Sequence, residues 1–341
     1  MIDTRITIKM IETAINKGIR DIECNPKRGV RNLVDLANHF TMGPFQKDVL
    51  NIMEVMLSNS NSPYYNMVSE LVNNVDHNTI KTFGINIGYN SWNNGSKKIR
   101  EGKKLHGYNI PWTIIFNFKN QIGDKISPDE IINIIKQGKR IGIYSYMFFM
   151  DSMDGFSDIV RKNIDCAFIL YVPHYKLTEE KMIKIKSYDN IIFSILYDRH
   201  TDIQEFKKTI QLLHNNKCLF GIHSYYDDGN AKDILNNKWV NVLKDFRCVF
   251  GFLIQSNKCS IKNAALMHEY VLNSKTNQEH SSFLIDLYKD IARINKIISI
   301  ESCCLSIKKN GEVCFCGCSN QVAFNIKEMS LVEILSKSKE D

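Results

Sequence analysis

The stretch SPDEIINIIKQGKRIGIYSYMFFM, residues 127–150, reads as a helix followed at once by a strand. Ser127 is a capping type, Pro128 suits a first helical turn, and Asp129 and Glu130 stand at the positive end of the helix dipole. RIGIYSYMFFM (140–150) is then apolar along nearly its whole length. A strand of that kind is buried on both faces, as in a parallel sheet wrapped by helices. Similar runs recur on both sides: TFGINIGYN (82–90), PWTIIFNF (111–118), DCAFILYV (165–172), NIIFSILYD (190–198), CLFGIHSYYD (218–227) and CVFGFLIQS (248–256). Their spacing, roughly 25 to 30 residues, is one strand-plus-helix unit. Two of the helices between them start in the manner of Ser127, at Thr178 and Thr201. Six or seven such units predict an α/β fold, a partial TIM-like (β/α)6 barrel. No Gly-x-Gly-x-x-Gly follows the first run, which argues against a dinucleotide-binding Rossmann unit, and there is no Gly-x4-Gly-Lys-Ser/Thr loop.

The flanks differ. Residues 1–80 read as a helical N-terminal region, with Gly18 as a C-cap and Ser62-Pro63 opening a later helix. The barrel is expected over 81–280. A Cys-rich tail, 281–341, reads as a helix over 281–298, a small hairpin, and a last helix with a capping box of Ser330 and Glu333.

Composition sets outer limits. The chain has 341 residues, 44% hydrophobic and 24% charged, with net charge +7. Its lysines are spread along the chain, so they read as solvated faces, and nucleic acid is not an expected partner. No apolar run is long enough to span a bilayer, and the opening segment lacks an apolar signal core. The expected compartment is the cytoplasm, where thiols stay reduced and clustered cysteines point to metal or redox chemistry.

That expectation bears on ESCCLSIKKNGEVCFCGCSN (301–320), which holds five of the ten cysteines. A two-residue Asn310-Gly311 turn would pair Lys309 with Glu312, Ile307 with Cys314, Leu305 with Cys316, and Cys303 with Cys318. Cys303, Cys314, Cys316 and Cys318 would then share one face, with Cys304 on the other, and a one-residue slip would exchange Cys303 and Cys304. Three or four thiolates on one face suit an iron–sulfur cluster or tetrahedral zinc. The plain alternative is a set of reduced core cysteines.

Barrel chemistry sits at the C-terminal ends of strands. Those ends carry Asp198, Arg199 and His200, then His223, Asp227 and Asp228. Asp198, His200, His223 and Asp227 are the candidate catalytic acid–base groups. Asn90, Ser91 and Asn117, at the first strand ends, are candidate cofactor-binding residues. His268, in MHEYV, lacks the second histidine of a His-Glu-x-x-His zinc site and reads as part of a solvated helix face.

The run of β/α units resembles the radical SAM superfamily. CCLSIKKNGEVCFC is similar to the opening of its SPASM or twitch auxiliary-cluster domain, and FNIKEMSLVEILSKS (324–338) is similar to the segment that ends such domains. The resemblance covers about Thr82 to Ser338 and implies a radical SAM barrel with an iron–sulfur site in the tail. Members carry Cys-x3-Cys-x2-Cys after the first strand, for a [4Fe–4S] cluster that binds S-adenosylmethionine. Here INIGYNSWNNGSKKIR has no cysteine, and IIFNFK lacks the Gly-Gly-Glu-Pro motif. The resemblance therefore implies a degenerate protein that binds a peptide or small molecule at the barrel mouth and assists a partner enzyme. One alternative is an active radical SAM-type or redox oxidoreductase using the tail cluster. Another is a TIM-barrel enzyme with a zinc-stapled lid.

Overall fold

The computed structural model describes residues 4–39, 53–119, 125–299, 304–315 and 324–337. Among them are ten strands: β1 (Thr113–Asn117), β2 (Ser145–Phe149), β3 (Ala167–Pro173), β4 (Ile191–Leu196), β5 (Phe220–Tyr226), β6 (Phe250–Gln255), β7 (Phe283–Asp286), β8 (Leu305–Lys308), β9 (Glu312–Phe315) and β10 (Phe324–Asn325). Two compact units divide them: Met1–Lys81 with Pro173–Tyr175 and Ile192–Asp290, and Thr82–Val172 with Lys176–Ile191 and Ile291–Asp341. The mixed α/β fold with parallel strands and helices is the one the alternation predicts. No described helix is long and apolar enough to cross a membrane.

In the first unit β4, β5, β6 and β7 pair in parallel, in that order. The joints that lead into β5 and β6 share one local solution. Lys217-Cys218-Leu219-Phe220-Gly221 and Arg247-Cys248-Val249-Phe250-Gly251 both begin with a basic residue in the left-handed region, at φ 52° and 51°. Each turn closes its helix with the cysteine N–H, donated to Leu213 and to Leu243 at 3.0 and 2.9 Å. Glycine follows because the strands and helices leave no room for a side chain. A Cβ on Gly221 would lie 2.3 Å from the Phe250 carbonyl oxygen, and one on Gly251 would lie 2.4 Å from Leu243 Cδ1. The N-terminal helices build a separate core in this unit from Ile19, Ile22, Val30, Val34, Leu57, Tyr65 and Val72. Gly18 does not end a helix as predicted. The helix runs Thr4–Cys24, and Gly18 gives space to Leu33 of the helix Pro26–His39, whose Cδ1 lies 2.7 Å from the Cβ position. The Asp76 N–H donates to the Lys217 carbonyl, and Tyr64 packs on Phe283 at 6.0 Å, so these helices dock on the strands of their unit.

In the second unit β8, β1, β2 and β3 are parallel, and β9 and β10 continue from β8 in antiparallel fashion. The helix Pro128–Ile141 carries the predicted capping box, with the Glu130 N–H donating to Ser127 Oγ and the Ser127 N–H to Glu130 Oε2. It covers one face of the sheet, where Tyr146 Oη donates to the carbonyls of Ile135 and Ile143. Phe148 meets Phe156 on that same face at 5.3 Å.

Two predicted elements are corrected. TFGINIGYN is no strand: a helix occupies His77–Ile85 and a π-helix Asn86–Gly95. Its alternating Ile85, Ile87 and Tyr89 mimic a strand, but the amides of Asn86 and Asn90 decide the matter. Asn86 Nδ2 donates to the carbonyls of Ile164 and Cys166, and Asn90 Nδ2 to that of Asp165, at 2.8, 2.9 and 3.0 Å. The segment SSFLID, predicted as helical, opens with β7, whose Phe283 N–H donates to the Val249 carbonyl; helix resumes only at Leu287.

Gly221→Ala should lower stability by about 1–3 kcal/mol, because the clash is with a backbone oxygen that side-chain repacking cannot relieve. Urea unfolding of the variant against the parent checks this; an unchanged midpoint would contradict it.

Candidate functional site

The register fixes which side chains share a face. Across the second unit, Asn117 pairs with Phe149 and Phe149 with Tyr171, while Lys308 pairs with Asn117 from the other side. Lys308 and Glu312 form an ion pair one step further along. The next row on the same face runs Cys314, Ser306, Ile115, Met147 and Ile169. This face is opposite the one covered by Pro128–Ile141. At the strand ends it presents an amide, a Lys–Glu pair, a thiol and two stacked rings. Phe149 and Tyr171 lie 4.3 Å apart with planes within 9°. Asn117, predicted to contact a cofactor, is at this edge and half-buried.

The hairpin register differs from the predicted one by one residue. Leu305 pairs with Phe315, Ser306 with Cys314, and Ile307 with Val313. The loop is three residues long, Lys309-Asn310-Gly311, and the Gly311 N–H donates to the Lys308 carbonyl at 3.0 Å. Gly311 sits at φ 90°, the left-handed position that ends a three-residue hairpin loop. A side chain there would also strike Asn325 Oδ1 at 2.5 Å. The charge pair is therefore Lys308–Glu312 instead of Lys309–Glu312, with the Glu312 N–H donating to Asn310 Oδ1. One residue of slip changes every face. Ile307 and Val313 turn into the buried side, and Cys314 moves away from them. Continuing the alternation one residue back puts Cys304, which is buried, on the Cys314 side. Cys303, Cys316 and Cys318 lie outside the described residues. Among the described residues no three His, Cys, Asp or Glu side chains are grouped to hold a metal ion.

Asn90 and Ser91 are not at a strand end. Both belong to the π-helix, where Asn90 clamps the Asp165 carbonyl and Ser91 is 1% exposed.

In the first unit the four acid–base candidates are distributed between the interior and exposed loops. His223 is wholly buried in β5, its Nδ1 3.1 Å from Ser194 Oγ. Asp198 Oδ1 accepts from the N–H of His200 and from Thr201 Oγ1, so its carboxylate shapes its own turn. His200 is exposed beside Arg199, whose Nε lies 3.2 Å from His200 Nε2. Asp227 Oδ1 accepts from the Gly229 N–H in the same turn-making way. The two loops approach each other at Gly229, where a Cβ would lie 3.1 Å from Asp227 Oδ1 and 3.8 Å from Arg199 Nη1.

The sequence reading missed a tighter constellation. Asp286, the last residue of β7, is 1% exposed, and its Oδ2 is 3.1 Å from His268 Nδ1. Burial pushes the Asp286 carboxyl up to about 6, with His268 opposing the rise and Asp290 adding to it. Tyr226, at the end of β5, is fully buried, and its hydroxyl has no hydrogen-bond partner among the described residues. Burial raises that phenol strongly, and the charges of Asp286 and Cys259 add to the effect. The available signal was an aspartate closing the apolar run FLI, the usual place for a functional group in parallel α/β folds. Reading that run as a helix hid it.

No protein-family model matches the chain, and no curated protein matches it. Solved structures do. Streptococcus suis SuiB bound to its precursor peptide SuiA superposes with a TM-score of 0.53 at 11% identity, over 70% of this chain and 68% of SuiB. SuiB bound to S-adenosylmethionine gives 0.52 at 12% identity, over 70% and 67%. The likeness shows the fold alone: the chain shares with SuiB a mixed α/β fold of parallel strands and helices.

Thiol labelling under reductant and chelator should divide the cysteines by burial. Cys24, Cys259 and Cys314 should react in the native protein, and Cys166, Cys218, Cys248 and Cys304 only after denaturation. Burial raises the thiols of Cys166 and Cys248, which slows them further. Peptide mapping of the adducts reads the order; native labelling of Cys304 ahead of Cys314 would contradict the burial of Cys304.

Proposed function

We propose that this protein binds a peptide on a radical-SAM-like scaffold that does not use the family's principal cluster, and that its Cys ribbon holds a metal centre serving a partner modifying enzyme. The observation that carries the peptide reading is the fold shared with SuiB, a protein seen with a precursor peptide bound.

The first strand being β1 moves the position of the cluster motif to the segment after Asn117. That segment, FKNQIGDKIS (118–127), has no cysteine, and the chain contains no Cys-x3-Cys-x2-Cys anywhere. The segment after β2, MDSMDG (150–155), has no Gly-Gly-Glu-Pro. Amides, lysines and one aspartate do not replace thiolates on iron. These residues do not fit a cluster that binds S-adenosylmethionine, and no step is derived through one.

For the tail the donors are the right kind. The register supports Cys304 and Cys314 as neighbours on one face, with Cys316 and Cys318 completing the proposed ligand set and Cys303 as the alternate. An iron–sulfur cluster is the favoured occupant and zinc the alternative. Asn117 and the Lys308–Glu312 pair are the side chains proposed to meet the peptide, next to the Phe149–Tyr171 stack, which is itself buried. The helical region 1–80 is proposed to dock the partner, beside the barrel at 81–280 and the tail at 281–341.

Protein purified without oxygen should contain iron with sulfide, or zinc, in about one centre per chain, and Cys314→Ser should lose most of it. Fluorescence anisotropy against a library of synthetic peptides should find binders weakened at least about tenfold by Asn117→Ala. Incubation with S-adenosylmethionine and strong reductant should give no 5′-deoxyadenosine. Its formation would reject the non-catalytic reading, and a metal-free protein indifferent to chelator would reject the metal centre.

A further inference from the structure

The helix Ile261–Asn277 is held to the first unit at three places along its length. At its start Asp228 Oδ1 accepts from the Ser260 N–H, from Ser260 Oγ and from Asn263 Nδ2, at 2.9, 2.8 and 2.7 Å. Near its middle His268 meets Asp286. Near its end Lys275 Nζ grips both carboxylate oxygens of Asp290 at 2.9 Å, and Asp290 Oδ2 also accepts from the Asp286 N–H at 3.0 Å. His268 and Lys275 are seven residues apart, so they stand on one stripe of the helix. Beside that stripe Ala264, Met267, Val271 and Ser274 are buried. The helix thus packs against β7, the strand that ends in Asp286.

The three ties differ in what surrounds them. Asp228 is at the surface, and its hydrogen bonds hold its carboxyl below the usual range. The Lys275–Asp290 pair is compensated on both sides, with side chains 11% and 16% exposed. Asp286 is different: it is sealed from water, and the side chain it bonds is a histidine. The groups that face it are His268 from the helix, Lys289 and Asp290 from the segment after β7, Tyr226 from β5 and Cys259 from the loop before the helix. The Tyr226 hydroxyl, buried without a hydrogen-bond partner among the described residues, is near enough to Asp286 to feel its charge.

We infer that Ile261–Asn277 is a pH-gated flap, latched to the end of β7 through His268 and Asp286, whose release uncovers Asp286. The direction follows from proton linkage. Asp286 in the latched state takes its proton at about 6, above the ordinary carboxylate value it regains once the flap opens to water. The latched state therefore holds the proton more tightly. Latching is strongest at mildly acid pH and weakens as pH rises through about 6. The inference does not depend on the peptide or metal readings above.

Hydrogen exchange of the wild-type protein tests it. After correction for intrinsic rates, amides of 261–277 should be better protected at about pH 5 than at about pH 7, by on the order of tenfold. The helix Ile203–Asn215 of the same unit should show no such difference. Asp286→Asn removes the titrating group and should abolish the difference, while Asp228→Asn should leave it. Equal protection at the two pH values, or an equal change in both helices, overturns the latch. If Asp286→Asn does not fold, carbon NMR of the wild-type Asp286 carboxyl decides: a midpoint near 6 supports the latch, and one in the ordinary carboxylate range near about 4 overturns it.

Discussion

The pairing of β8 with β1 is the contact on which the second unit depends. It sets Leu305, Ser306, Ile307 and Lys308 beside Ile114, Ile115, Phe116 and Asn117, residues far apart along the chain. Once that register is fixed, β9 and β10 follow by hairpin, and every tail side chain is assigned to a face. Leu305, Ile307 and Val313 go into the core at no more than 3% exposed, and this burial drives the pairing. The last helix adds to it: Leu331, Ile334 and Leu335 are fully buried, and the Leu331 N–H donates to Gln137 Oε1 of Pro128–Ile141. Lys308, Glu312, Ser306 and Cys314 are left on the other face by the same constraint.

What could be read in advance was whatever local chemistry decides. Ser127 with Glu130, Thr178, and Ser330 with Glu333 cap their helices as their types predict, because a cap needs only a side-chain oxygen and the next turn. The six apolar runs from 111 onward are strands because burial on both faces leaves no other use for them. What could not be read was whatever a distant partner decides. Asn86 and Asn90 take carbonyls more than seventy positions away, and no pattern within 82–90 announces them. The four-residue β7 is too short for periodicity to separate it from the helix that follows. Of the site, Asn117 was placed correctly at a strand end, whereas Asp286 and His268 were hidden by those same two difficulties.

The hairpin error is instructive because its ingredients were all visible. An Asn-Gly pair favours a two-residue turn only when both residues take positive φ. Here Gly311 alone does so, and Asn310 spends its side chain accepting the Glu312 N–H. Asn325 then closes over Gly311 and donates to the Asn310 carbonyl at 3.4 Å, which ties β10 to the loop. The third strand, absent from any two-strand reading, selects the longer loop.

This bears on what holds the hairpin in the sheet. The apolar half of the hairpin explains its own place there: Leu305, Ile307 and Val313 complete the sheet whether or not a metal is present. The ribbon's place in the sheet is therefore no argument for a cluster. The thiols are a separate matter. If Cys314 were only a small apolar residue it would gain most by pointing into the core with Val313, yet the register sends it to the side that carries Lys308 and Glu312, with Sγ 3.7 Å from the Glu312 carboxylate. A thiol set among charged groups, on the face opposite Pro128–Ile141, contributes little to packing. That placement, more than the number of cysteines, is what favours a chemical role for the ribbon.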